Sequence, residues 1–87
     1  MHHFSLLDYY ATESLDVLAA NAFFYADYFQ DEKARSLGYT ILNRREVYAN
    51  RRIMYMDFVF HYPEYNQPWF WLKIKLLRII HEYNHEA

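Results

Sequence analysis

Residues 6–37 read LLDYYATESLDVLAANAFFYADYFQDEKARSL, and this stretch indicates the class of fold. Its apolar residues recur at steps of three and four, which is the spacing of one face of an α-helix. That face consists of Leu7, Ala11, Leu15, Leu18, Ala22, Tyr25 and Phe29. Gly38 follows at the position of a C-terminal cap. We therefore predict a long first helix, or two helices if the chain breaks at Thr12 or Ser14.

The same stretch carries two further rows of side chains. A second apolar line contains Tyr10, Val17, Phe24 and Tyr28. An acidic row opposite the first face contains Glu13, Asp16, Asp27 and Asp31. A helix that is apolar on two sides either packs between two neighbours or presents one side to a partner, and both interpretations stay open.

The middle segment, residues 39–62, is compatible with two structures. Glu46, Asn50, Asp57 and His61 fall on one narrow polar stripe, which favours a helix. The run from Ile53 to Phe60 is rich in residues that prefer strands, which favours a hairpin formed by residues 39–43 and 53–61. The helix fits the polar stripe better.

The last segment begins at Pro68, a residue typical of the first turn of a helix. Its predicted core face consists of Trp69, Leu72, Leu76, Leu77, Ile80 and Tyr83. Trp71 and Ile74 fall on the opposite face, among Lys75, Arg78, His81, Glu82 and His85. An outward tryptophan is a favoured interface anchor. We predict that Trp71 and Ile74 bind a partner, unless Trp71 covers the loop of residues 62–67.

The totals describe one small domain over residues 1–87, of which 54% are hydrophobic and 22% aromatic. The predicted fold is all-α, a bundle of three or four helices, with α+β and a central β-hairpin as the alternative. No stretch is long and apolar enough to span a membrane, no signal peptide is evident, and cysteine is absent. We expect a cytoplasmic protein.

A basic cluster follows the acidic first segment. Residues 1–32 contain six acids and no Lys or Arg, whereas residues 33–56 contain six bases and one acid. The cluster contains Arg44, Tyr48, Arg51, Arg52 and Tyr55, which on one helix would align as a grip for nucleotides or nucleic acid. Alternatively, the arginines pair with the acidic row, since the net charge of −2 is unlike that of most nucleic-acid binders.

Residues 81–85, His-Glu-Tyr-Asn-His, match the H-E-x-x-H motif of zincin metalloproteases. This resemblance covers five residues. It implies His81 and His85 as zinc ligands and Glu82 as the base. Only two residues follow, so a third ligand would come from upstream, from Asp57, His61 or Glu64. The simpler interpretation is a solvated helix face without a cofactor.

The surplus of apolar residues exceeds what so small a domain can bury, so the leading functional hypothesis is a non-enzymatic protein-interaction module. It would self-associate and bind another protein through Trp71 and Ile74, through Tyr10, Phe24 and Tyr28 of the second apolar line, and through the acidic row of Glu13, Asp16, Asp27 and Asp31. A row of carboxylates can dock on the basic surface of a nucleic-acid-binding protein, in the manner of a small phage-type inhibitor of a host nucleic-acid-binding or defence complex. The alternatives are the nucleotide binder and the zinc hydrolase.

Overall fold

The computed structural model describes residues 12–65 and 67–86, and within these ranges the chain is helical and contains no strand. The helices are α1 (Leu15–Phe29), α2 (Glu32–Asn43), the single turn α3 (Arg45–Tyr48), α4 (Arg51–His61) and α5 (Pro68–Glu86). A 3-10 turn (Pro63–Tyr65) precedes α5. The all-α bundle is therefore confirmed, and the hairpin alternative is wrong. None of the described helices combines the length and apolar content that a membrane crossing requires.

Of the two alternatives for the first segment, the break at Ser14 is the one found, because its side chain accepts a hydrogen bond from the Val17 amide and caps α1. The prediction of one helix up to Leu37 is wrong. The chain turns at Gln30, which adopts the left-handed conformation with φ 55° and ψ 46°. Asp31 then caps α2 by accepting from the Ala34 amide at 3.1 Å.

Gly38 is therefore not a cap but lies inside α2, where it is buried and has no positive φ. A Cβ atom at this position would lie 2.7 Å from Cε1 of Phe23 on α1. The missing side chain allows the two helices to approach closely, and the Phe23 ring packs edge-on against Tyr39 at 4.9 Å.

The middle segment forms a turn of helix and a separate helix. Asn50 begins α4 by accepting from the amides of Arg52 and Ile53. Met54 and Phe58 lie one turn apart on α4 and are both buried, so the strand-preferring residues of this run supply a helical core face. A tertiary core thus outweighs their intrinsic strand preference.

The core is formed where α1 contacts α2 and α5, with α4 and the 3-10 turn completing it. It combines small residues on α1 with large aromatic and aliphatic ones elsewhere. Its buried members include Leu18, Ala22, Ala26, Leu37, Ile41, Tyr48, Met54, Phe58, Tyr65, Trp71 and Ile74. Leu7, Tyr10 and Ala11, predicted for the first helix, lie outside the described residues.

We predict that Gly38→Ala destabilises the protein. Helix propensity alone favours alanine by about 1 kcal/mol. The added methyl would overlap the Phe23 ring, and overpacking costs about 1–3 kcal/mol, so the net change is a loss. Urea unfolding followed by circular dichroism measures it, with the exposed Ser36→Ala on the same helix as control. An unchanged or higher midpoint for Gly38→Ala would contradict the close approach.

Candidate functional surface

The last helix is rotated relative to the prediction. Trp71 is 0% exposed and Ile74 is 1% exposed, so neither residue can anchor a partner, and their predicted outward position is wrong. The physical reason is the indole N–H of Trp71, which donates to the Tyr65 carbonyl at 2.8 Å. The Trp71 ring also packs against Phe58 and Phe70, at centroid distances of 6.2 and 5.5 Å. Trp71 thus covers the turn before α5, as the alternative interpretation expected.

Most of the predicted core face of α5 faces outward instead, although Leu72 packs against the core and Leu77 is half-buried. Leu76 is 58%, Ile79 50% and Tyr83 75% exposed, and Leu72 is half-buried. We call these four residues the outer stripe. Trp69, three residues before Leu72, and Ile80, next to Ile79 in the sequence, are also exposed. Every described side chain from Ile79 to His85 is exposed, so the second half of α5 extends beyond the core.

The spacing within the outer stripe is that of a helix-packing seam. From Trp69 the steps are three, four, three and four residues, which is the a/d pattern of a coiled coil. Such a seam stays on one side of the helix and buries its side chains only against another helix. The outer stripe is thus the candidate binding surface.

The second apolar line of the first helix divides between the core and the surface. Phe24 is half-buried and Tyr28 is exposed, and both rings contact the His81 ring of α5, at 5.5 and 6.2 Å. Phe23, on the other side of α1, faces α2. The interpretation of a central helix between two neighbours therefore describes α1. Tyr10, the remaining predicted partner contact of this line, lies outside the described residues.

The acidic row is used within the fold. Glu13 lies 3.0 Å from Lys75 Nζ, Asp16 lies 2.7 Å from Arg45 Nη2, and Asp27 lies 2.7 Å from Arg35 Nη1. Asp31 caps α2 and accepts from the Tyr65 hydroxyl at 2.9 Å. Because Glu13 precedes α1 and Asp31 follows it, the four acids do not form one row on one helix. The pairs of Asp16 with Arg45 and of Asp27 with Arg35 join the acidic first segment to the basic segment of residues 33–56, as the alternative expected in part.

The Arg/Tyr cluster does not form an aligned grip. The chain turns at Ala49 and Asn50, so Arg44 and Tyr48 lie on a different helical segment from Arg51, Arg52 and Tyr55. Tyr48 is buried, and its hydroxyl donates to Asp57 at 2.6 Å. Arg44 binds the same carboxylate at 3.2 Å and lies over the Tyr48 ring. These groups hold α3 against α4, and the Tyr48 ring is not accessible for stacking.

The two histidines of the H-E-x-x-H motif lie side by side on α5, with ring centroids 4.2 Å apart. His81 packs against Phe24 and Tyr28, and Glu82 faces Arg78 at 3.8 Å. The upstream candidates lie elsewhere: Asp57 and His61 line a depression by α2, and Glu64 pairs with Lys33. No three described His, Asp or Glu residues converge on a point that could hold a metal ion.

One surface feature had not been predicted from the sequence. An open depression of about 430 Å³ lies between α2 and α4. It is lined by Lys33, Ser36, Thr40, Arg44, Asp57, His61 and Tyr62. The spacing of Lys33, Ser36, Thr40 and Arg44 along one side of a helix is the signal that could have revealed it. Five of these seven residues are already paired, since Lys33 binds Glu64, Arg44 binds Asp57, and Thr40 hydrogen-bonds Tyr62 at 3.0 Å.

A comparison of the chain with protein-family models, curated proteins and solved structures finds no match.

We predict that Trp71→Phe lowers the free energy of unfolding by about 2–3 kcal/mol. The change removes the hydrogen bond to the buried Tyr65 carbonyl and leaves a small cavity. Denaturant unfolding measures the loss. Phe60→Leu, at a 70% exposed position on α4, is the matched control and should change stability by less than about 0.5 kcal/mol. Equal small effects of both variants would show that Trp71 is not a core residue.

We also predict a loss of stability above about pH 10, the ordinary pKa of tyrosine. Burial, together with the carboxylate that each hydroxyl binds, raises the pKa of Tyr48 and of Tyr65 well above that value. At pH values above about 10, both phenols therefore stay neutral in the folded protein while those of the unfolded chain ionise. The contribution of the two tyrosines to the free energy of unfolding is complete below about pH 10 and is lost as the pH rises further.

Chemical unfolding at a series of alkaline pH values measures this loss. The double variant Tyr48→Phe/Tyr65→Phe should show a shallower decline than the wild type. Tyr39→Phe, at an exposed position, should decline as the wild type does. Parallel curves for the wild type and the double variant would contradict the assignment to these two phenols.

Proposed function

We propose that this protein is a non-enzymatic protein-interaction module that binds through the outer stripe of α5. The observation that carries the proposal is the a/d spacing of Leu72, Leu76, Ile79 and Tyr83 on a helix whose opposite side is already packed in the core. Leu76, Ile79 and Tyr83 are exposed, and Leu72 is half-buried at the end of the stripe nearest the core. Exposed apolar surface of this regularity is costly in water and is typical of association surfaces.

The surface proposed here differs from the one predicted by the sequence. Trp71 and Ile74 contribute indirectly, because their burial fixes the rotation of α5 and directs the outer stripe to solvent. The acidic residues that suggested an inhibitor of a nucleic-acid-binding complex already contact bases of the same chain. The proposal therefore depends on apolar contact, in the helix-in-groove or helix-on-helix mode.

The polar residues beside the outer stripe fit this role. Lys73 and Glu82 are exposed and lie on the two flanks of the stripe, where the polar rim of an interface is found. Tyr83 combines a large apolar ring with a hydroxyl, a residue type enriched at binding hot spots. The surface thus has an apolar centre, an aromatic residue and charged borders.

We predict that Leu76→Glu weakens binding to any partner of the outer stripe by at least about tenfold, because it places a charge in the centre of the apolar contact. The wild type, Leu76→Glu and the control Phe60→Glu serve as baits in parallel affinity captures with quantitative mass spectrometry. Phe60 is at least as exposed as Leu76 but lies on α4. Binding to the wild type and Phe60→Glu, but not to Leu76→Glu, is the expected result.

The contrary outcome is equally defined. If Leu76→Glu retains its helical circular dichroism and captures the same proteins in the same amounts as the wild type, the outer stripe is not the binding surface. Loss of capture by both variants would indicate a general effect of added charge, which also contradicts the proposal.

A further inference from the structure

We infer that a second copy of this chain covers the outer stripe, and that the two α5 helices pack antiparallel about a two-fold axis. This inference rests on the proposed function and specifies its partner. The outer stripe is apolar along its length, so it can pack against an identical stripe, as the surface of a symmetric dimer must. Its a/d spacing is the pattern by which two like helices interlock.

The charges of α5 select the antiparallel arrangement. Residues 69–78 contain Lys73, Lys75 and Arg78 and no acid, whereas residues 79–86 contain two glutamates and no Lys or Arg. Parallel packing would place the basic half of one helix beside the basic half of the other. Antiparallel packing places each basic half beside an acidic half, and it also opposes the two helix dipoles.

The flanks of the outer stripe give a specific pair. Lys75 and Glu82 are seven residues apart and therefore lie on the same flank. A two-fold axis between antiparallel helices brings equal flanks together, so Lys75 of each copy lies beside Glu82 of the other. In a parallel pair, the flank that carries Lys75 and Glu82 would instead face the other flank of the second helix. Lys75 would then lie beside the apolar Ile80.

The present contacts of these two residues allow the pairing. Lys75 Nζ binds Glu13 at 3.0 Å and has further hydrogen-bond donors. Glu82 lies 3.8 Å from Arg78 Nε, too far for a hydrogen bond, so its carboxylate can turn toward the second copy. Acidic and basic groups then alternate across the seam, from Glu13 and Lys75 of one copy to Glu82 and Arg78 of the other. The two-fold axis forms this arrangement twice.

The same alignment fixes the apolar layers. With Leu76 opposite Ile79 of the second copy, Leu72 lies opposite Tyr83, and each layer occurs twice. Leu72 and Tyr83 are separated by 11 residues, or about 16 Å along the helix. Two Leu72 residues of an antiparallel pair are therefore too far apart to touch, whereas those of a parallel pair are neighbours.

The first measurement is the molar mass by light scattering over a wide range of concentrations. The wild type and Phe60→Glu should approach twice the chain mass of 10.8 kDa, and Leu76→Glu should remain at the single mass with unchanged helical circular dichroism. A wild type that stays monomeric at the highest concentration overturns this inference. Equal dimerisation of Leu76→Glu overturns it as well.

The second measurement determines the orientation, and the absence of cysteine from the chain makes it simple. Leu72→Cys and Tyr83→Cys variants are oxidised separately and as a mixture. Antiparallel packing predicts a disulfide between the two variants in the mixture and almost none in either variant alone. A prominent Leu72→Cys homodimer would show parallel packing and overturn the inference.

The two proposals can fail separately. A monomeric wild type whose capture of a different protein is abolished by Leu76→Glu overturns the dimer and supports the proposed function. A monomer whose capture is unaffected by Leu76→Glu overturns both.

Discussion

The hydrogen bond from the Trp71 indole to the Tyr65 carbonyl determines how the longest helix meets the rest of the molecule. A buried indole N–H without an acceptor is costly, so the ring can occupy the core only in an orientation that reaches this carbonyl. That orientation fixes the rotation of α5 about its own axis. It therefore also determines which side chains face solvent, and the exposure of the candidate binding surface is a direct consequence of a core contact.

Much of the fold could be predicted from the sequence, because helical spacing and capping residues are local signals. The cap at Ser14 and the helical middle segment are examples. A turn of this kind is usually marked by a glycine, but at this turn a glutamine, Gln30, adopts the left-handed conformation, so the sequence did not reveal it. Asp31 then caps the next helix. The role of Gly38 was predicted wrongly because glycine is required there by a tertiary contact: the Phe23 ring of another helix occupies the space that a side chain would fill.

The candidate surface was harder to predict, because α5 is apolar on two sides and its spacing alone does not say which side is inside. The regular series through Leu76 and Tyr83 looked like a core face, yet the structure buries the shorter series of Trp71 and Ile74. The deciding contacts come from residues outside the helix, at Phe58 and Tyr65. The charge pattern was more informative, as Asp16 and Arg45 pair within the chain.

The two-residue link between α1 and α2 has a consequence for the order of folding. Helices joined only by Gln30 and Asp31 can meet after closing a minimal loop. The pair of α1 and α2 therefore loses little chain entropy on closing and is expected to form its contacts early. The last helix docks across a much larger sequence separation and is expected to join later. Until it does, the chain exposes both sides of a very apolar segment, and that interval is when the nascent molecule is most prone to aggregate.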